Sequence, residues 1–158
     1  MQLMKSWASE DKKILLYFED SVIIAFTDHI QFSDTQSEAG GILLGSLHAS
    51  NLLISTATKP SNRDKRSRFL FDRFPDVHRL VALSLWIKSK GTLRYLGEWH
   101  THPEDYPTPS NLDKVEWKRI SASRKDKRPL LAVIVGRKAL HVELIHADGA
   151  NIIMYPIE

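Results

Sequence analysis

Hydrophobic positions recur along the chain with two periods. Short apolar runs bounded by turn residues predict strands, and spacing near 3.6 residues predicts helices. Ile14–Glu19 is a short apolar run and reads as a strand. Asp20 is placed to cap a helix in which Val22, Ile23, Phe26 and Ile30 share a face. Ser33–Ser37 has turn chemistry. Glu38–Leu47 (EAGGILLGSL) then reads as a buried strand, with Asn51–Thr58 as its hairpin partner. Ser61–Lys65 reads as a polar loop and Arg68–Phe71 as a short strand. Phe74–Ser89 reads as a helix with a wide apolar face of Val77, Leu80, Val81, Leu83, Leu85 and Trp86, ended by Gly91. Leu93–His102 reads as a strand and Pro103–Pro109 as a rigid loop. Ser110 starts a helix running to Ser123, with Leu112, Val115, Trp117 and Ile120 as candidate buried positions. Leu130–Gly136, Ala139–His146 and Ala150–Ile157 are three closing strands in antiparallel hairpins. This mixed order predicts an α/β sandwich and not a doubly wound parallel sheet.

Composition narrows the class. The 158 residues contain no internal repeat and no Gly/Ser linker, so one domain spanning 1–158 is expected. Hydrophobic residues make up 42% and charged residues 26%, the balance of a globular protein. Cysteine is absent. That excludes a disulfide framework, a thiolate-held cluster and a thiol nucleophile, and it fits a cytoplasmic location. The net charge of +3 is small, and no nucleic-acid partner is expected without a clustered basic face. No apolar run approaches the roughly 20 residues needed to span a bilayer. The N-terminal stretch has no apolar core of a secretion signal, so neither secretion nor a membrane partner is expected.

The segment with chemical content is Gly97-Glu98-Trp99-His100-Thr101-His102, followed by Pro103–Pro109 and Ser110-Asn111-Leu112-Asp113. His100 and His102 lie two apart on a predicted strand, so both rings leave the same face. Asp113 lies about one turn inside the next helix, and the proline-rich loop lets that helix fold back toward the histidines. Two histidines and one carboxylate are three protein ligands, which leaves a fourth tetrahedral position for water, as in catalytic zinc sites. Zinc lowers the pKa of such a water toward about 7. A general base that is not itself a ligand is still required. Glu98 shares the parity of the two histidines, and Glu38 opens the glycine-bearing strand; local pattern leaves both open and favours Glu98 slightly, because its proximity is guaranteed. Ser110-x-x-Asp113 also matches a helix-capping signature, so Ser110 has a structural role available alongside any catalytic one.

His100-x-His102, seven residues, then Ser110-x-x-Asp113 resembles the JAMM motif of the JAB/MPN metalloproteases. Glu38-Ala-Gly-Gly-Ile-Leu-Leu-Gly resembles that family's strand carrying the catalytic glutamate. The resemblance covers essentially the whole chain and implies an α/β MPN (JAB) fold, a curved mixed β-sheet flanked by helices. It implies one Zn2+ held by His100, His102 and Asp113, with Glu38 as general base and Ser110 as oxyanion donor. It implies hydrolysis of peptide or isopeptide bonds after a ubiquitin-like C-terminus. Gly-Glu-Trp-His-Thr-His-Pro-Glu, with Pro109-Ser110 and a Trp four residues after Asp113, is similar to the stand-alone JAB peptidases of CBASS antiphage operons. For that branch the implied substrate is a protein conjugated through its C-terminus, a cyclic-oligonucleotide synthase. The implied operon partner is a fused E1/E2-like conjugating enzyme.

Two relatives with the same motif stay in view. One is a JAB peptidase trimming a sulfur-carrier protein. The other is a RadC-type DNA-repair-associated protein, which usually carries an N-terminal helix-hairpin-helix region that the early position of Glu38 leaves no room for. Non-enzymatic MPN scaffolds typically lose ligands or the glutamate, and all five positions are kept here. Arg63, Lys65, Arg66 and Arg68 form one basic cluster; Lys118, Arg119, Arg124, Lys125, Lys127 and Arg128 form another. Both read as solvated faces. His29, His48, His78, His141 and His146 read as surface or capping residues, and Trp86, Trp99 and Trp117 as core. Gly40 and Gly41 are expected to leave room for a substrate tail that adds as a strand at a sheet edge.

Overall fold

The computed structural model describes residues 2–33, 35–60, 65–66, 71–72 and 75–157. The predicted loop residues 61–64, with Arg63, lie outside the described residues, as do Arg68–Leu70 of the predicted short strand and Phe74. The described strands are β1 (Ser6–Ser9), β2 (Leu15–Phe18), β3 (Gly40–His48), β4 (Asn51–Ala57), β5 (Lys65–Arg66), β6 (Phe71–Asp72), β7 (Arg94–Thr101), β8 (Leu130–Val135), β9 (Leu140–Ile145) and β10 (Asn151–Pro156). The helices are α1 (Asp20–Asp28), α2 (Pro75–Lys88) and α3 (Asn111–Ser123). Eight strands close in the order β1-β10-β9-β8-β7-β3-β4-β2, and β5 and β6 form a separate ribbon. The β2–β4 and β7–β8 pairs are parallel and the others antiparallel. The expected curved mixed sheet is therefore present, bent far enough to close. Closure depends on β1, a four-residue strand too short to read from its pattern, which pairs with β10 on one side and β2 on the other.

The closed sheet wraps around α1. Val22, Ile23 and Phe26 share one core with inward residues of all eight strands, among them Trp7, Phe18, Leu43, Ile54, Trp99, Val133, Val142 and Met154. Phe26 sits edge-on to Phe18 and 5.2 Å from Trp99, ring centre to ring centre. A second core lies under α3, where Trp117 covers Leu130, Ala132 and Ile134. β8 (LLAVIV) thus has the barrel's core behind one face and α3 over the other, which is why it reads as an unbroken apolar run. α3 is pinned at its far end. Ser121 Oγ donates to the Ile145 carbonyl at 2.6 Å. The Arg124 guanidinium donates to the Leu96 and Tyr95 carbonyls of β7. Arg124 is consequently not part of a solvated face. No helix among the described residues is long and apolar enough to cross a membrane.

Several expectations are corrected. The N-cap of α1 is Glu19 and not Asp20; Asp20 is the first helical residue, where its carboxylate suits the helix N-terminus and pairs with Lys5. β3 begins at Gly40, so Glu38 stands just ahead of the strand. In α3 the inward row is Asp113, Trp117 and Ser121, spaced i, i+4, i+8. Val115 lies about 200° around from Asp113 and Leu112 about 100° away, so both point to solvent. They are 63% and 56% exposed, against 4% for Trp117. The apolar face of α2 is likewise not core: Leu80, Leu83 and Trp86 are exposed, while Trp99 and Trp117 are buried as expected. What anchors α2 is His78, fully buried and not at the surface, whose Nδ1 is 2.7 Å from Thr58 Oγ1.

Candidate metal centre

The site is built where β7 runs out toward α3. His100 is the penultimate residue of β7, and the His102 N–H donates to the Val135 carbonyl at 3.0 Å, so the chain stays extended through both histidines. Their rings leave one face together, with centroids 4.8 Å apart. Thr101 points the other way, into the sheet's interior. Its hydroxyl donates to Gln31 Oε1 at 2.7 Å and accepts the Ala39 N–H at 2.9 Å. That bond, with Thr101 N–H donating to the Ala39 carbonyl, carries the β3–β7 ladder past the end of β3. Gly40 lies opposite His100 in the register, so two residues further on Glu38 comes opposite His102, on the same face. Register, and not sequence proximity, brings the glutamate to the histidines.

α3 supplies the remaining groups. Ser110 is its N-cap and closes a reciprocal capping box: Ser110 Oγ accepts the Asp113 N–H at 3.1 Å, and Asp113 Oδ2 accepts the Ser110 N–H at 2.9 Å. The capping geometry therefore aims the Asp113 carboxylate. The two sequence readings of Ser110 are compatible, because accepting the cap bond leaves the hydroxyl proton available to donate. Trp117, one turn on, backs His100 with ring centroids 6.1 Å apart.

Four polar groups converge. His100 Nε2 and His102 Nε2 face each other at 3.1 Å. Asp113 Oδ1 is 3.2 Å from His100 Nε2, and Oδ2 is 3.2 Å from His102 Nε2. Glu38 Oε1 stands further off, 3.9 Å from His100 Nε2. Tetrahedral zinc with bonds of about 2.0–2.1 Å puts neighbouring donors roughly 3.3–3.4 Å apart. The three separations, with the two histidines meeting different oxygens of Asp113, lie within a few tenths of an ångström of that edge. Lone-pair donors held this close in a buried setting repel unless a proton or a cation lies between them. The donor set fits a zinc ion. Glu38, His100 and His102 also offer ligand atoms within 4.8 Å of one another, but the carboxylate nearer to both rings is Asp113.

The electrostatics match this reading. Burial pushes the Glu38 carboxyl up to about 8; His102 opposes the shift and the Asp113 charge adds to it. Burial also raises Asp113, yet hydrogen bonds to His100, His102 and the Ser110 N–H outweigh it and hold the carboxyl well below the usual range. His102 lies above its ordinary value: burial alone lowers it, and bonds to Asp113 and Glu104 reverse the sign.

Of the sequence candidates, Glu38, His100, His102, Asp113 and Ser110 all come to one place. Glu98, the rival base, shares the face but is held elsewhere: the Tyr95 hydroxyl donates to its Oε2 at 2.5 Å. The space at Gly41 is already taken, since a Cβ there would overlap Thr58, whose carbonyl accepts the Trp99 indole N–H at 3.0 Å. Among the described residues the barrel itself closes without an edge strand, and β5 and β6 stand outside it as a separate ribbon. His141 is half-buried and paired with Glu143 at 2.7 Å, behind Trp117 and not at the surface. Glu104, whose Oε1 is 2.8 Å from His102 Nδ1, carries no role in the motif reading, although its position two residues beyond a predicted ligand on a tight loop was a signal.

Residues 21–146 match the family described as prokaryotic homologs of the JAB domain. The chain is 54% identical over 158 residues, all of both proteins, to a Pseudomonas aeruginosa protein named CD-NTase/cGAS isopeptidase. It is 34% identical over 121 residues to an Escherichia coli protein of the same name, covering 77% of this chain and 76% of the relative. A Desulfitobacterium hafniense protein solved in solution superposes with a TM-score of 0.60 over 90% of each chain at 19% identity, a likeness of fold alone. By the extent of the family match and the identity to these relatives, the chain belongs to the prokaryotic JAB-domain family.

Proposed function

We propose that this protein is a zinc-dependent isopeptidase. It cleaves immediately after the C-terminal residue of a conjugated protein modifier, at the amide to a lysine or similar amine. The observation that carries the reading is the convergence of His100, His102 and Asp113 with Glu38 at the edge of the set. The modifier in this reading is a cyclic-oligonucleotide synthase in a bacterial CBASS antiviral system, released from its targets. The name shared by the Pseudomonas and Escherichia relatives supports that substrate. A fused E1/E2-like conjugating enzyme is the partner that would make the linkage.

His100, His102 and Asp113 would hold the ion. Zinc bound there supplies a Lewis acid for the scissile carbonyl and acidifies the attacking water. Glu38, beside the donors, takes a proton from the water as its oxygen adds to the carbonyl carbon. It then gives that proton to the amine as the C–N bond breaks. The Ser110 hydroxyl donates to the oxygen that gains negative charge, while its lone pair keeps the helix cap. The products are a free carboxyl terminus and a free amine.

The test fuses the C-terminal tail of the synthase to a reporter protein and incubates it with wild type and Glu38→Ala. Cleavage at the junction by wild type alone is expected. Equal cleavage of scrambled tails would remove the deconjugase reading and leave an unselective zinc protease.

A further inference from the structure

The loop between His102 and α3 carries a carboxylate that neither the ligand set nor the proton transfer uses. Glu104 Oε1 lies 2.8 Å from His102 Nδ1. On the opposite side of the same ring, Nε2 faces Asp113 and His100. A neutral imidazole carries one proton. When Nδ1–H donates to Glu104, the lone pair belongs to Nε2, the atom aimed at the donor set.

Glu104 does not reach this place by chance of rotamer. The turn joining β8 to β9 grips the backbone on both sides of it. The Arg137 N–H donates to the Glu104 carbonyl at 2.7 Å, and the Lys138 N–H to the Asp105 carbonyl at 3.0 Å. The Arg137 guanidinium donates to the Pro103 carbonyl and lies 3.9 Å from the Asp105 carboxylate. Gly136 sits so close beneath the loop that a Cβ there would overlap the Glu104 carbonyl and the Pro107 ring. Five contacts from one turn thus fix the first half of the Pro103–Pro109 loop, which otherwise has no helix or strand to hold it.

We propose that Glu104 is a positioning residue for the metal centre: it fixes the ring orientation and tautomer of His102 and so strengthens cation binding by His100, His102 and Asp113, with the Gly136–Lys138 turn as its support. Carboxylate–histidine–metal relays typically contribute 10–100-fold to metal affinity. Glu104 is partly exposed, which places the expected effect near the lower end, about tenfold. The inference rests on the metal reading above, and the experiment keeps the two apart.

Zinc affinity is measured by chelator competition on wild type, Glu104→Ala, Glu104→Gln and, as a carboxylate outside this support, Glu116→Ala, with the melting curve of each metal-free protein recorded alongside. The cobalt(II) d–d spectrum of each loaded protein is a second readout that a change in global stability does not move. Glu104→Ala is expected to bind zinc about tenfold more weakly and to alter the cobalt spectrum. Glu104→Gln, which keeps an acceptor at the same position, recovers most of the loss, and Glu116→Ala stays within twofold of wild type. Glu104→Ala within twofold of wild type, or Glu104→Gln no better than Ala, overturns the positioning role while the ligand set stands. Failure of wild type itself to bind zinc overturns both.

Discussion

Replacing Ser110 separates two roles that one side chain holds at once. As the N-cap of α3 its oxygen accepts the Asp113 N–H at 3.1 Å. Ser110→Ala removes that acceptor, a loss of about 1 kcal/mol. For a chain of this size that lowers Tm by roughly 2–4 °C. The other half of the capping box survives, because Asp113 Oδ2 is held by the Ser110 backbone N–H and not by its hydroxyl. Asp113 should therefore stay aimed at the histidines, and zinc affinity should change little. Turnover should fall far more. Losing one donor to a developing oxyanion reduces kcat by about 10²–10³. Ser110→Gly sharpens the contrast, since glycine is a tolerable N-cap and loses only a few tenths of a kcal/mol. The assay measures kcat on the synthase-tail fusion, zinc affinity and Tm for wild type, Ala and Gly. Both variants should show the same large drop in kcat, whereas only Ala should show the drop in Tm. If kcat instead tracks Tm, with Gly near wild type in both, Ser110 is a cap only and the oxyanion role fails.

Glu38→Ala should retain zinc and fold while kcat falls by about 10²–10⁴, measured on the same fusion; an active Glu38→Ala beside a dead Glu98→Ala would mean the wrong base has been chosen. His100→Ala/His102→Ala should lower zinc from about one ion per chain to a trace by elemental analysis, and full retention would refute the ligand assignment. In the metal-free protein Glu38 keeps its proton up to about 8, whereas the unfolded carboxyl releases it near the model-peptide value, 4.5. The folded state then binds more protons between those values, so stability falls as pH rises through that window. His102, raised above 6.5, acts with the same sign, and its contribution is lost as pH rises past its folded value. Asp113, lowered, acts oppositely: its contribution is present above the ordinary carboxylate value and lost on acidification. Thermal melts without metal should therefore show Tm declining from about pH 5 to pH 8, with Glu38→Gln flattening the slope and excess zinc raising Tm at pH 8.

The convergence of His100, His102 and Asp113, the proposed ligands, and the cap of α3 were legible because each depends on local spacing alone. Period two places His100 and His102 on one face, and a four-residue capping signature places Asp113 inside the first turn. The burial of α3 and α2 was not legible, because an amphipathic pattern only names the apolar side. In α3 the metal-facing row Asp113, Trp117, Ser121 competes with the apolar row for the inward direction. The cap at Ser110 and the Arg124 anchor to β7 settle the rotation in favour of the polar row. Leu112 and Val115 are left outside as a consequence. In α2 a single buried histidine outweighs an apolar stripe, since Thr58 offers it a specific partner while no described element covers Leu80, Leu83 and Trp86.

Glu38 shows where local reasoning stops. By pattern alone Glu98 had the stronger claim, being on the same strand and face as the histidines. One long-range pairing and one local hydrogen bond reverse that order. The β3–β7 ladder continues beyond Gly40 through the paired hydrogen bonds of Ala39 and Thr101, which carries Glu38 alongside His102. Glu98, two residues back along β7, is turned to the Tyr95 hydroxyl and away from the convergence point. Registers of this kind depend on pairings more than 60 residues apart in the chain and leave no periodic trace near either partner. Thr101 is the residue that makes the connection. It lies between the two histidines yet faces the interior, and its hydroxyl ties the backbone that carries Glu38 to the backbone that carries the ligands. Glu38, the proposed base, and the histidine pair are therefore set by one hydrogen-bonded joint, so a change at Thr101 should disturb their relative position without touching either side chain.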